Sequence, residues 1–145
     1  MKMNTDHLVR CIQTLDASVA RLHQSTPDSI EYEIFRNAII KSYELVQEIV
    51  HKLLRKALLE YGYGARRIDS TPAKDILRLA ANHGLMTLAE VERWFNYRDN
   101  RNSTAHDYGE GFANETLLLL GSFIADSLTL EAILREKFTD DSDSD

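Results

Sequence analysis

Apolar residues recur every three or four positions along most of this chain, and this spacing predicts amphipathic α-helices. The first stripe spans Thr5 to about His23 and consists of Leu8, Ile12, Leu15, Val19 and Leu22. A Ser-Thr-Pro sequence then breaks the helix. Asp28, with Glu31 three positions later, has the pattern of a capping box. We therefore expect Asp28 to open the longest helix, which continues to about Leu58.

The end of that helix and the start of the next are marked by glycine and proline. Tyr61-Gly62-Tyr63-Gly64 reads as a turn, because it lacks the strand and helix context of a phosphate-binding loop. A cap residue followed by Pro72 predicts a short helix over Ala73–Asn82. His83-Gly84 closes it.

Two further helices complete the pattern. Thr87 and Glu90 form a second capping-box pattern, which predicts a helix that continues to about Asp107. A last helix is expected between a cap at or near Asn114 and its end near Lys137. No strand-like alternation competes with these assignments. Five helices joined by short connections predict an all-α, up-and-down bundle.

Length and charge refine this picture. The 145 residues, of which 43% are hydrophobic, predict a single helical domain over residues 1–138. Residues 139–145 are too polar to pack and predict a disordered acidic tail. Its four aspartates contribute much of the formal net charge, which falls from −6 to −2 without them. A body so close to neutral can hold a local basic site, and Arg93, Arg98 and Arg101 cluster along the chain.

Other classes of protein are disfavoured. A single cysteine, Cys11, excludes an internal disulfide and suggests a reducing compartment. We find no apolar run close to the roughly 18 residues of a membrane span, and Asp6 and His7 lie where a signal peptide would be apolar. The sequence predicts a cytoplasmic protein without membrane contact. The histidines outside the motif described next have no ligand spacing, so we expect no metal and no cofactor.

The candidate chemistry lies in the run from Arg101 to Tyr108, where arginine, histidine and tyrosine are spaced by five and by two. Arginine is a permanently charged, forked phosphate ligand, and histidine titrates near neutral pH. Together they suit phosphodiester chemistry without a metal. The structural alternative is that Arg101 interacts with the helix dipole, that His106 caps the helix, and that Tyr108 packs on the end of the bundle.

These residues resemble the HEPN family, and in particular its short bacterial members that are encoded beside a minimal nucleotidyltransferase. The Arg-x4-His-x-Tyr run carries the resemblance, which covers about Glu33 to Glu115. Further matching stretches are Thr71 to Ile76, His83-Gly84-Leu85, Trp94, and Arg101-Asn102. His51 departs from the pattern, since an aromatic residue is expected there.

The resemblance implies an RNA-cleaving toxin with an antidote. Arg101 and His106 would form a metal-independent endoribonuclease site, with Asn102 and Arg98 in supporting roles. Tyr108 would be the residue to which a cognate minimal nucleotidyltransferase, the antitoxin, adds AMP. RNA would be the substrate.

Helical geometry adds a condition to that reading. Five positions separate Arg101 from His106 by roughly 140° around a continuous helix, so one helix does not easily direct both at one phosphate. A homodimer that pairs two motifs across a two-fold axis would do so, and the resemblance implies the same. The exposed leucines of the last helix offer a competing surface for the dimer, and we favour the motif face.

A second function remains open at this stage. The chain could be a non-catalytic accessory subunit that binds a nucleotide or substrate for the nucleotidyltransferase, using the same polar cleft. The intact arginine and histidine favour the ribonuclease, because a pure binding module has less need of that histidine.

Overall fold

The computed structural model describes residues 1–104 and 111–139, which form six α-helices and one π-helical segment. The α-helices are α1 (Asp6–Gln24), α2 (Ile30–Glu60), α3 (Ala65–Asp69), α4 (Ala73–Asn82), α5 (Leu88–Thr104) and α6 (Leu117–Lys137). The π-helical segment, Phe112–Thr116, continues directly into α6. Within the described ranges there is no strand, only an isolated bridge between Lys2 and Thr139. The predicted all-α bundle is confirmed.

Helices α1 and α2 form a long hairpin that supplies much of the core. The predicted apolar stripe of α1 is buried at Leu8, Ile12, Leu15 and Leu22, and Val19 is partly buried. The cap of α2 is Ser29, whose side chain accepts a hydrogen bond from the Tyr32 backbone N–H at 3.1 Å. The prediction of Asp28 as the cap is wrong by one residue, because Asp28 adopts a left-handed conformation at φ 65° and turns the chain.

The predicted punctuation of the other helices is largely confirmed. Thr87 and Glu90 form the reciprocal capping box, with backbone-to-side-chain distances of 2.9 and 3.1 Å. Helix α4 has the predicted bounds, with Pro72 in the cap position. Gly62 and Gly84 follow α2 and α4 at φ 102° and 75°, a conformation that glycine adopts without strain.

Two elements differ from the prediction. A short helix, α3, lies between the turn at residues 61–64 and α4, and it buries Ile68 against the core. Asn114 is exposed inside the π-helical segment and is not a cap. The wider π-helical turn places Phe112 and Thr116 in the core, with about 1% of each exposed, so tertiary packing extends the last helix towards its N-terminus.

The last helix also corrects the expectation about apolar runs. Within the described residues, one helix, Phe112–Lys137, is long and apolar enough to cross a membrane by length and composition alone. A helix in the core of a bundle passes the same test. This helix carries Asp126 and Glu131, both nearly buried, which pair with Arg93 and Arg135.

Helix α5 is held between α2 and α6 by polar contacts on both sides. The Tyr97 hydroxyl lies 2.5 Å from an Asp126 carboxylate oxygen, and Arg93 donates two hydrogen bonds to the same carboxylate at 2.8 and 2.9 Å. Burial raises the pKa of Asp126, but these hydrogen bonds outweigh it, so that the pKa lies below its usual value. Burial and the bond to Asp126 raise the pKa of Tyr97 to about 12.

Buried Asn100 joins three elements near the end of α5. Its side-chain oxygen lies 3.0 Å from the Tyr43 hydroxyl of α2 and accepts a hydrogen bond at 3.2 Å from Thr116 of the π-helical segment. The Tyr43 hydroxyl is also 3.0 Å from the Tyr97 carbonyl oxygen, and it can donate to one of the two acceptors at a time. Asn100 therefore links the last turns of α5 to α2 and to the π-helical segment.

We predict that Asn100→Ala destabilises the protein by about 1–3 kcal/mol, because Thr116 would lose its buried acceptor and Tyr43 would keep only the Tyr97 carbonyl. Urea denaturation followed by circular dichroism measures this difference. Asn102→Ala is the matched control, since Asn102 is exposed two residues further along, and it should change the unfolding free energy by less than about 0.5 kcal/mol. Equal effects of the two substitutions would contradict the role assigned to Asn100.

Candidate functional site

The final turns of α5 lie against the middle of α2, and this seam positions the predicted arginines. Tyr97 and Asn100 of α5 face the core, where they contact Tyr43 of α2. At about 100° per residue, Arg98 and Arg101 lie roughly 100° and 40° to one side of Tyr97. Both arginines therefore point along the same side of the helix, towards the surface beside α2.

Arg101 is half-buried and has one carboxylate neighbour. Its guanidinium lies 3.3 Å from Glu48 of α2; 26% of the Arg101 side chain and 58% of the Glu48 side chain are exposed. Its Nε atom is buried and has no hydrogen-bond acceptor among the described residues. An exposed ion pair of this kind contributes at most about 1 kcal/mol, so Glu48 orients Arg101 without preventing exchange for another anion.

Arg98 lies one turn before Arg101 and lines a small pocket between α2, α4 and α5. The pocket has a volume of about 20 Å³, and its other walls include His51, Ala73 and Trp94. Arg98 has no carboxylate partner in the part of the chain that the structure describes. Burial, and then the guanidiniums of Arg55 and Arg98, lower the pKa of His51 and so favour its neutral form.

The other predicted site residues have different surroundings. Asn102 is exposed on the last turn of α5. Arg93, which the sequence groups with Arg98 and Arg101, is engaged by Asp126 on α6, so it adds no free positive charge beside α2. His106 and Tyr108 lie outside the described residues. The structure thus brings Arg98 and Arg101 together and separates Arg93 from them.

Sequence reasoning missed Glu48, which pairs with Arg101, and the contact between Tyr43 and Asn100, which holds α5 against α2. A signal for Tyr43 exists in the sequence, because Tyr43 and Gln47 interrupt the apolar stripe of α2 at helical spacing with groups that require a buried partner. Their partners on α5 are more than 45 positions away in the sequence. No local pattern identifies such a pairing.

No group of three or more histidine, cysteine, aspartate or glutamate side chains within residues 1–104 and 111–139 could hold a metal ion.

Comparison with known proteins identifies the family. The family described as "nucleotidyltransferase substrate binding protein like" matches residues 4–136 of this chain. This chain belongs to that family. It is 26% identical over 140 residues to a Haemophilus influenzae protein named "Probable ribonuclease HepT", with 94% of each chain covered.

Solved structures agree with this assignment. The structure of HI0074 from Haemophilus influenzae, described as the fold of a substrate binding domain of a nucleotidyltransferase, is similar with a TM-score of 0.78 and 26% identity. The match covers 91% of this chain and 99% of that one. A tri-AMPylated HEPN toxin of Shewanella oneidensis, in complex with MNT antitoxin, shares the fold at a TM-score of 0.65 and 17% identity, covering 92% and 99% of the two chains. The family match and these likenesses support the predicted resemblance to the HEPN family.

Proposed function

We propose that this protein is a metal-independent HEPN endoribonuclease toxin that a cognate minimal nucleotidyltransferase neutralises by transferring AMP to Tyr108. The observation that carries the proposal is Arg101, a half-buried guanidinium whose only carboxylate neighbour among the described residues is largely exposed. Such a group is oriented for an anion and can exchange its partner. The relative named as a ribonuclease supports the choice of RNA.

The proposed reaction is an internal transfer within RNA. The ribose 2′-oxygen attacks the adjacent phosphorus, the bond from phosphorus to the 5′-oxygen breaks, and a 2′,3′-cyclic phosphate and a 5′-hydroxyl form. His106 takes the 2′-hydroxyl proton or supplies the proton to the departing 5′-oxygen. Arg101 stabilises the charge that develops on the phosphoryl oxygens. DNA lacks the 2′-hydroxyl and would not be cleaved.

We also propose that the site is shared by two copies of the chain. Arg101 and His106 are about 140° apart if the helix continues between them, so a phosphate would meet both more readily with one residue from each copy. Asn102 and Arg98 would support the cleft. Residues 1–138 would form the domain, residues 139–145 an acidic tail, and the homodimer would act in the cytoplasm.

One observation favours a second function. The family description and the structure of HI0074 both refer to substrate binding for a nucleotidyltransferase. In that case the same cleft would bind a nucleotide or substrate without cleaving RNA. A neighbouring reading frame for a small nucleotidyltransferase would support either function, and purified protein that binds nucleotide but cuts no RNA would favour the second.

We predict that the purified protein cleaves RNA in the presence of EDTA and leaves 2′,3′-cyclic phosphate ends. Arg101→Ala should lower the rate on the order of 10²–10³-fold, because one preorganised donor to the phosphoryl group is lost. His106→Ala should lower it on the order of 10²–10⁴-fold. Mass spectrometry of the cleavage products measures both. Activity that persists in both variants would indicate a contaminating nuclease.

The shared site can be tested by mixing the two inactive variants. If Arg101 and His106 act from different protomers, dimers that contain one copy of each variant hold one intact site of two. An equimolar mixture that exchanges subunits should then recover about a quarter of the wild-type rate. A site contained in one protomer would give no recovery, and a monomer in sedimentation at micromolar concentration would exclude the shared site.

The proposed regulation predicts a mass change at Tyr108. Co-expression with the neighbouring nucleotidyltransferase and ATP should add AMP units, and the modified protein should bind RNA weakly, because each unit adds negative charge and bulk at the cleft. Tyr108→Phe should abolish the added mass in intact-protein mass spectrometry. Tyr61→Phe, at the far end of α2, is the matched control and should be modified normally. Equal modification of Tyr108→Phe and wild type would refute this mechanism.

A further inference from the structure

Two hydrogen-bond donors of α5, Trp94 and Arg98, line the small pocket between α2, α4 and α5, whose other walls include Gln47, Val50 and Leu77. Trp94 is 3% exposed, and its buried Nε1–H has no acceptor among the described residues. Arg98 lines the same pocket and has no carboxylate partner in that part of the chain. A buried donor without an acceptor is costly, by about 1–3 kcal/mol, so we expect an acceptor for this N–H from outside the described residues.

The start of α4 adds to the positive character of this pocket. Ala73, the first residue of α4, forms part of the pocket wall. No side chain caps this helix. Asp75 lies in its first turn and pairs with Arg78, and the positive end of the helix dipole forms part of the pocket wall. The helix end and the Trp94 N–H are independent features that favour the same kind of ligand.

The surrounding charges agree with this reading. Burial of His51, together with the guanidiniums of Arg55 and Arg98, disfavours its charged form. Arg55 pairs with Asp69, whereas Arg98 has no carboxylate partner among the described residues. A volume of about 20 Å³ holds one water-sized group, so a single oxygen atom of a larger anion fits inside while the rest remains at the mouth.

We infer that this pocket is a phosphate-binding subsite, in which Arg98, His51, the Trp94 N–H and the start of α4 hold a phosphodiester of RNA next to the one that Arg101 engages. Arg98 and Arg101 are three positions apart on one helix, where side chains are neighbours, and so they can hold adjacent phosphates of one strand. The neutral His51 donates one ring N–H. The subsite positions RNA and takes no part in bond breaking. Its assignment to RNA rests on the proposed ribonuclease function.

Trp94 provides the readout, because it is the only tryptophan in the chain. The probes are inorganic phosphate and a short 2′-O-methyl RNA, which keeps the phosphates but cannot form the cyclic product. Both should change Trp94 fluorescence in a saturable way, and the RNA should bind more tightly, because it also engages Arg101. Arg98→Gln should weaken RNA binding at least about tenfold, as expected for a lost charged hydrogen bond.

Two further variants make the test specific. Arg10→Gln makes the same charge change at an exposed position of α1, which packs on α2 and α6, and it should bind RNA as wild type does. His51→Glu places a carboxylate near Arg55 and Arg98, where it is stabilised in the fold but repels phosphate, so it should weaken binding as Arg98→Gln does. Circular dichroism verifies that each variant is folded.

The outcomes separate this inference from the proposed function. A phosphate-dependent Trp94 signal that requires Arg98, in a protein that cuts no RNA, would uphold the anion site and reject the ribonuclease. RNA cleavage without any change in Trp94 fluorescence on binding the 2′-O-methyl RNA would reject the subsite. Equal affinity of Arg98→Gln and wild type would also reject it and leave a bound water as the acceptor for Trp94.

Discussion

The rest of this site depends on which face of α5 is turned towards the core. Tyr97 and Asn100 must find partners in the interior, and they find them on opposite neighbours, with Asp126 on α6 and Tyr43 on α2. A rotation by one residue, about 100°, would break these contacts and turn Arg98 towards or away from the core. The buried polar contacts thereby determine where the two arginines appear at the surface.

The same arrangement explains how a protein with a net negative charge can present a site for an anionic phosphate. The net charge of −6 describes the whole chain, but a phosphate at the surface responds mainly to charges within about 10 Å. On the α6 side of α5, Asp126 neutralises Arg93. On the α2 side, Arg98 has no carboxylate partner among the described residues and Arg101 has an exposed, exchangeable one. One face of the helix is therefore locally basic in an acidic protein.

His51 shows how a departure from a family pattern acquires a physical meaning. A large aromatic side chain at this position of α2 would fill the space beside Trp94 with carbon. The imidazole of His51 lines the pocket instead, with a neutral ring and two neighbouring guanidiniums. His51 thereby provides hydrogen-bonding capacity on the side of α5 that carries Arg98 and Arg101.

Local patterns in the sequence determined the class of the fold, the bounds of α4 and the capping box of α5, because helical spacing, proline and capping side chains act within one or two turns. They also pointed to Arg98 and Arg101. Tertiary structure alone decided the extra helix α3, the π-helical start of the last helix, and the partners Glu48, Tyr43 and Asn100. These depend on groups far apart in the sequence that must share one interior, and on the need of every buried polar atom for a partner, which no local pattern encodes.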